Sequence, residues 1–388
     1  ILKDNKNIVN IASSDELDYI ITEYFYSNFS GLNILEKKEE FYELKKLIGT
    51  FINLFKSNNY DYTKFDEILK RLKYGNDYIF IKIVREIYFE YMSELKSKNE
   101  VDFNDMINDA IKVLNKKGKI KPYKYIIIDE YQDTSLTKYN MIKTIKNKTH
   151  AKLFCVGDDF QSIYRFTGCN LNIFLNFKKY YKNSRIMKIE NTYRNCKDLI
   201  KVSGNFIMKN NHQMRKKLKS SKKLKRPIKI IYYKSIKDSF EKLILDIYSD
   251  NNGIMVLGRN NNDIYKYLNS NFRLENQNII YLKNENIKIR YLTVHKSKGL
   301  EEENVIIINL ENKINGFPSK IENNEILKYV LNENDNYPYE EERRLFYVAL
   351  TRTKNNVYLF VNKKNESIFV KEIVNNYKSC IQIFKNYL

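Results

Sequence analysis

The chain has 388 residues, a formal charge of +21 and 43% hydrophobic residues, enough for two or three domains with cores of their own. No run approaches the ~18 apolar residues of a membrane span, and Ile1-Leu2-Lys3-Asp4 opens no apolar leader core. These features predict a cytoplasmic protein without a membrane segment, and the missing initiator Met predicts a piece of something longer.

So basic a chain favours a polyanionic partner, of which nucleic acid is the usual one. The charge has a plainer source as well. The sequence is rich in Lys, Asn, Ile and Tyr, as coding bias would make it, and lysines also solvate helix surfaces. The four Cys (Cys155, Cys169, Cys196, Cys380) form no CxxC pair, and His150, His212 and His295 stand near none of them at ligand spacing. A zinc site or a disulfide framework is not expected, and a reducing compartment fits.

Residues 1 to about 117 read as helical. Phe41, Leu44, Leu47, Ile48, Phe51, Ile52 and Phe55 recur at three- and four-residue spacing, with Glu and Lys between them. Gly and Pro are nearly absent, so little interrupts these helices. The reading is a packed helical subdomain without catalytic chemistry. After Lys117-Gly118 the texture changes. Short β-branched and aromatic runs follow at Tyr125–Ile128, Leu153–Val156, Ile186–Ile189, Ile228–Tyr233, Ile254–Leu257, Ile289–Val294, Val305–Ile308 and Val357–Val361. Strands of this length alternating with helices predict mostly parallel sheets covered on both faces. Two such sheets divide near residue 190. The basic stretch 209–227, ending at Pro227, reads as an exposed connection.

Chemistry concentrates at strand ends. Tyr125-Ile-Ile-Ile-Asp129-Glu130-Tyr-Gln-Asp-Thr-Ser135 closes a hydrophobic strand with adjacent carboxylates, and α/β sheets bind ligands beyond the carboxyl ends of their strands. Asp129 suits Mg²⁺, a hard cation that takes carboxylate and water oxygens. Glu130 suits the base that polarises a water attacking a γ-phosphate. An isolated Asp-Glu pair is usually surface charge; the strand before it and Gln-Asp-Thr-Ser after it argue otherwise. Next comes Val156-Gly157-Asp158-Asp159-Phe160-Gln161-Ser162-Ile163-Tyr164-Arg165-Phe166. Gln161 follows a strand end, where an amide can reach a γ-phosphate or the attacking water. Tyr164 and Phe166 offer faces for stacking bases, although both also suit a core. Downstream lie Asn191-Thr192-Tyr193-Arg194, Tyr291-Leu-Thr293-Val-His295-Lys-Ser-Lys298-Gly299-Leu-Glu301 and Glu341-Glu342-Arg343-Arg344-Leu-Phe-Tyr-Val-Ala-Leu-Thr351-Arg352. An Arg at a cleft edge can stabilise a transferring phosphoryl group, yet each Arg taken singly reads as an ordinary surface residue.

In this order the motifs resemble those of the UvrD/Rep class of superfamily 1 DNA helicases, over residues of roughly 100 to 370. The helicase IV subgroup is the best match, because Asp102-Phe103-Asn104-Asp105 precedes the acidic motif and Gly316-Phe317-Pro318-Ser319 follows the Ser-Lys-Gly block. The resemblance implies an ATP-dependent motor on single-stranded or partially duplex DNA, with 3′-to-5′ polarity and ATP and Mg²⁺ as its cofactors. It implies an α/β fold of RecA-like (P-loop NTPase) parallel-sheet domains, the first incomplete, with a helical N-terminal subdomain. Residues 1–100 are then that subdomain, inserted in the first motor domain; 101–190 are the rest of that domain, and 191–388 the second. By the same resemblance Asp129 binds the metal, Glu130 is the base and Gln161 senses the γ-phosphate. Tyr193 stacks on adenine, Arg194 and Arg352 contact the γ-phosphate, and Glu301 contacts the ribose. Phe166, Thr293 and His295 contact single-stranded DNA, and Tyr164 joins them only as the stacking face read from the residues themselves. Phe166 stands where many relatives carry Trp, and Thr167 where some carry Arg.

No phosphate-cradling G-x-x-x-x-G-K-[ST] loop occurs. Gly118-Lys119 is the only candidate, and it fails because Val113 replaces the first Gly and Ile120 follows the Lys. The resemblance puts that loop upstream of Ile1, so weak or no ATP hydrolysis is expected of this chain alone. Only about 100 residues separate Arg194 from Thr293, which leaves no room for the further helical domain of larger relatives. The competing reading is a non-catalytic nucleic-acid-binding protein on a degenerate helicase scaffold. Intact Asp129, Glu130, Gln161, Arg194 and Arg352 weigh against it. A helicase–nuclease fusion lacks any carboxylate-Lys cluster after Arg352.

Overall fold

The computed structural model describes residues 10, 11, 13, 15–31, 37–116, 118–248, 253–320, 324–331, 337–384 and 387. The readings at Ile1–Asp4 and Lys117 lie outside these. Two compact units result: Ile1–Asp158 with Tyr164–Asn183 and Asn323–Asn334, and Asp159–Ile163 with Ser184–Glu322 and Asp335–Leu388.

In the first unit Asn10–Ile11 (β1) pairs in parallel with Glu100–Val101 (β2). Between them lie helices Glu16–Phe29 (α1), Lys38–Ser57 (α2), Thr63–Leu72 (α3) and Asn76–Ser97 (α4). The expected stripe of α2 is buried: Ile48, Phe51, Ile52 and Phe55 are at most 1% exposed. They meet Ile20, Phe25, Phe65, Ile81 and Ile87 in one core. Phe55 stacks on Phe65 at 4.2 Å. Ile326, Leu327 and Val330 return from far along the chain to close this core. Their segment is fixed by hydrogen bonds from Asn58 Nδ2 to the Val330 carbonyl (2.7 Å) and from the Tyr329 hydroxyl to Asp77 (2.8 Å).

The Asp102-Phe-Asn-Asp105 motif is structural in this unit. Asp102 caps helix Phe103–Asn115 (α5), its Oδ1 accepting from the Asp105 amide at 2.9 Å. Both carboxylates then converge on Lys56, 3% exposed, at 2.6 and 2.5 Å. The Tyr91 ring lies under the same ammonium at 5.0 Å. The motif thereby ties α5 to α2.

Tyr125–Ile128 (β3), Leu136–Thr149 (α6) and Lys152–Cys155 (β4) follow, with short helices at Leu171–Leu175 (α7) and Phe177–Tyr180 (α8). β3 and β4 form a two-stranded parallel sheet, Tyr125 opposite Lys152 and Ile128 opposite Cys155. One face packs on Tyr131, Tyr139, Ile173 and Tyr181. The other is open: Tyr125, Ile127 and Phe154 are 64%, 74% and 61% exposed. The expectation of cover on both faces fails for this sheet, because the helices of this unit pack against only one side of the two strands.

The second unit is built on an eight-stranded sheet. Its strands are Ile228–Tyr233 (β5), Ile254–Gly258 (β6), Phe272–Glu275 (β7), Asn278–Tyr281 (β8), Ile289–Thr293 (β9), Glu302–Ile307 (β10), Thr353–Asn362 (β11) and Ile381–Phe384 (β12). Their order is β12-β5-β11-β10-β6-β9-β8-β7. All pairs are parallel except β7–β8 and β8–β9. Helices Lys197–Ile207 (α9), Ile236–Ile247 (α10), Glu340–Thr351 (α11) and Ile368–Asn376 (α12) belong to this unit. Every residue of β6 is buried, as an apolar run in the middle of a parallel sheet requires.

Two expectations need correction here. Ile186–Ile189 joins no sheet; Met187 and Ile189 are 78% and 82% exposed, because no strand ladder covers this stretch. The basic stretch 209–227 is more than an exposed loop. The Lys219 amide donates to the Glu190 carbonyl (2.7 Å), the Thr192 amide to Lys219 (2.8 Å) and the Lys197 amide to Lys222 (2.9 Å), so it pairs with 190–197.

Replacing Lys56 by Met leaves two largely buried carboxylates without their cation, a loss of ~3 kcal/mol for a partly solvated cluster. Urea unfolding should show a lower midpoint at an unchanged slope. An unchanged midpoint would refute the structural role given to the Asp102–Asp105 motif.

Candidate functional site

In the first unit the acidic motif sits where β3 ends. Glu130 takes a left-handed backbone at φ +50°, unusual for a residue with a side chain. Its amide donates to Asp129 Oδ1 at 2.8 Å, so the turn is fixed by the neighbouring carboxylate. Both side chains stay exposed. The sequence reading missed Gln132, which is fully buried and holds this turn. Its Nε2 donates to Glu130 Oε2 at 2.5 Å, and its Oε1 accepts from the Asp158 amide at 3.0 Å. One amide thereby links the ends of β3 and β4. Gly157 makes room for it: a Cβ there would stand 2.5 Å from Gln132 Oε1 and 2.7 Å from the Phe174 ring. The adjacent Gln and Gly in these motifs are the signal that could have found it.

Tyr164 and Phe166 lie in the same unit. Their rings meet edge-on at 6.2 Å, and Phe166 is 50% exposed. Burial, then the charges of Asp133 and Glu130, push the Tyr164 hydroxyl up, which places that side chain within electrostatic reach of the acidic motif.

In the second unit the segment Asp159–Ile163 is held at almost every residue. Asp159, 0% exposed, accepts from Lys216 (2.6 Å), Gln213 (3.1 Å) and the Met214 amide (2.7 Å). Phe160 lies edge-on to Tyr347 at 5.2 Å and under Lys216 at 4.0 Å. The Gln161 carbonyl accepts from Lys298 at 2.9 Å and the Ser162 carbonyl from Arg344 Nε at 2.8 Å. The Ile163 carbonyl accepts from the His295 ring. Gln161 Oε1 accepts from Arg352 Nη2 at 3.1 Å, and Arg352 is 1% exposed.

Around this strap the remaining predicted residues fall into two groups. Before the amino ends of β10 and β11, Arg194 Nε pairs with Glu301, and Lys354 approaches Glu301 at 3.6 Å. Desolvation is the largest influence on Glu301 and works upward, yet Arg194 and Lys354 together hold its carboxyl below the ordinary range. Tyr193 beside them is 84% exposed. At the carboxyl end of β9, Thr293 is only 8% exposed, and its hydroxyl accepts from the Lys296 amide at 3.4 Å. Gly258 of β6 stands opposite Thr293, and the Val294 amide donates to the Gly258 carbonyl at 3.0 Å. Arg259, which the sequence reading missed, follows directly. Its guanidinium pairs with Glu342 at 2.8 Å, and the same carboxylate accepts from the Ser319 amide at 2.9 Å. Glu342 thus joins the loop after β6 to the Gly316–Ser319 motif. A cation followed by an amide directly after a buried strand, Arg259-Asn260, was the available signal.

Among the described residues no group of three or more His, Cys, Asp or Glu is arranged to hold a metal ion. Asp129 and Glu130 are the exposed carboxylates at the strand end, a donor set that suits an ion completed by water and phosphate oxygens.

Residues 3–182 match the family described as UvrD/REP helicase N-terminal domain. Over 297 residues the chain is 31% identical to DNA helicase IV of Escherichia coli (strain K12), covering 76% of this chain and 42% of that protein. It is 28% identical to ATP-dependent DNA helicase Rep of Buchnera aphidicola subsp. Acyrthosiphon pisum, over 92% of this chain and 55% of that protein. ATP-dependent DNA helicase PcrA of Bacillus subtilis (strain 168) is 30% identical over 39% of this chain and 21% of its own length. The chain therefore spans about half the length of the curated relatives it matches. The resemblance carried by the motifs is borne out.

Burial, and then the charge of Arg259, hold His295 down at about 4, against the opposing pull of the Ile163 carbonyl. A folded value below the ordinary ~6.5 means that the unfolded chain takes up the proton first as pH falls. Stability from the neutral ring is complete above about pH 6.5 and drains away towards pH 4, by on the order of 3 kcal/mol. Urea midpoints taken across this window should fall more steeply for the wild type than for His295→Gln. Parallel slopes would count against a buried neutral His295.

Proposed function

We propose that this chain, a relative of UvrD/Rep-class helicases, is the core of an ATP-dependent motor that translocates along single-stranded DNA in the 3′-to-5′ direction. The observation that carries the reading is the strap. Gln161 and Arg352, both of the second unit, are hydrogen-bonded to each other. Two residues further on, the same strap is held by His295 through the Ile163 carbonyl. A residue that meets a γ-phosphate and a residue that meets DNA are thus bonded to one five-residue segment.

In this reading residues 1–100 are a helical subdomain inserted in the first motor domain, 101–190 its remaining part, and 191–388 the second motor domain. Both motor domains are RecA-like, the first incomplete. Asp129 would hold Mg²⁺, which when bound neutralises charge on the phosphate oxygens. Glu130 takes the proton from the attacking water, and Gln132 fixes the angle at which it does so. Arg352 and Arg194 offset the charge that builds on the γ-phosphoryl group. Gln161 reports the presence of that group through its bond to Arg352. Tyr193, with its exposed ring, stacks on adenine, and Glu301 receives the ribose. Phe166 and Tyr164 stack bases, while Thr293 and His295 meet the strand from the second unit.

The sequence supplies no phosphate-cradling loop, so this chain alone holds part of an ATP site. The competing reading is a non-catalytic nucleic-acid-binding protein on a degenerate helicase scaffold, and the intact Asp129, Glu130, Gln161, Arg194 and Arg352 weigh against it.

ATP turnover, measured with and without single-stranded DNA beside a Glu130→Gln control, tests the proposal. The expected result is DNA binding with no turnover, wild type and control alike. DNA-stimulated hydrolysis that Glu130→Gln abolishes would overturn the account of an incomplete site. Failure to bind single-stranded DNA would overturn the motor reading itself.

A further inference from the structure

The segment after α9 carries a pattern that none of these roles uses. From Met214 to Lys225 burial alternates residue by residue, as in an extended strand with one face inward. Met214, Lys216, Leu218, Ser220, Lys222 and Leu224 turn in. The inward cations are satisfied by protein: Lys216 by Asp159, and Lys222 by the Lys354 carbonyl at 2.7 Å and Asn355 at 3.2 Å. Arg215, Lys217, Lys219, Lys223 and Lys225 turn out, with Ser221 between them. Among the described residues none of these five side chains makes an ion pair. Pairing with 188–197 holds the backbone. Lys188 Nζ donates to the Arg215 carbonyl at 2.7 Å, and the Lys217 amide donates to Glu190 Oε1 at 3.2 Å, the one carboxylate found on the track.

We propose that this edge is a track for the sugar-phosphate backbone of single-stranded nucleic acid, in addition to Thr293 and His295. Outward cations in an extended chain recur every ~6.6–6.8 Å, a straight row on the scale of successive phosphates in a stretched strand. The inward lysines are used up on structure, and the outward ones face solvent without an ion-pair partner among the described residues. Met187 and Ile189, exposed on the partner stretch, offer apolar surface beside the row. The inference rests on the proposed action on DNA and adds a place where the strand lies.

Anisotropy of a fluorescein-labelled oligo(dT), titrated with the 388-residue protein across a series of KCl concentrations, tests it. The variant changes Arg215, Lys217, Lys219, Lys223 and Lys225 to Gln. Its matched control changes Lys46, Lys70, Arg71, Lys73 and Lys96, exposed cations of the helical unit, to Gln. A charge-keeping variant swaps Arg and Lys at the five track positions, and thermal melts verify that all three fold. Each lost phosphate contact removes about 0.7 from the log–log salt slope of single-strand binding, so the track variant should lose about 3.5 and bind about tenfold or more weakly in low salt. The charge-keeping variant should bind as the wild type does. A control that loses as much slope would overturn the track in favour of net charge, and an unchanged track variant would overturn it outright. Equal loss on duplex DNA would overturn the single-strand assignment. A wild type that binds no DNA removes the functional reading together with the track.

Discussion

The second unit depends on how five residues that interrupt the first are kept within it. Backbone carbonyls away from water need donors, and along Asp159–Ile163 those donors are basic side chains. Lys298, Arg344 and His295 take successive carbonyls, Lys216 takes the Asp159 carboxylate, and Arg352 takes the Gln161 amide oxygen. Charge-assisted hydrogen bonds are about twice as strong as neutral ones; the His295 ring donates as a neutral group, the other donors are cations, and Arg344 and Arg352 are themselves buried. Residues that invite a reading as ligand contacts therefore also carry structure. Lys298 of the Ser-Lys-Gly block and Arg344 of the last motif are examples.

In the first unit the same economy governs the acidic motif. Glu130 stands in a strained backbone region, and such strain persists only where neighbours over-determine it. Gln132 and Gly157 supply that constraint by packing an amide between two strand ends. The Asp102–Asp105 pair acts alike within the same unit. A motif that marks a resemblance proves to be a helix cap fused to a buried cation site.

Much of the fold was legible in the residues. The stripe from Phe41 to Phe55, the apolar runs of β3 to β6 and β9 to β11, and the helix of the last motif appear where periodicity indicates. The misreadings share a cause. Ile186–Ile189 has strand composition but no ladder partner, and the basic stretch 209–227 has loop composition but a backbone partner. Hydrogen-bond partners are set by what lies alongside, which a local window does not contain. The carboxylates and arginines of the candidate site were visible because their order along the chain is specific. Gln132, Arg259 and Glu342 were not, since each acts through a neighbour remote in sequence.

By itself the sequence determined which elements form, which motifs end strands, and the class of chemistry those motifs resemble. These follow from short-range causes: side-chain periodicity, helix capping, and the restricted choices at turns. Only tertiary structure decided that Ile326–Val330 seals the helical core, that Lys56 neutralises Asp102 and Asp105, and that Asp159–Ile163 belongs with the second unit. It also decided which lysines of 214–225 are spent on partners and which face solvent. The physical reason is common to all of these. Burial and ion pairing depend on groups brought together across long stretches of chain, and the energy of a charge is set by what surrounds it.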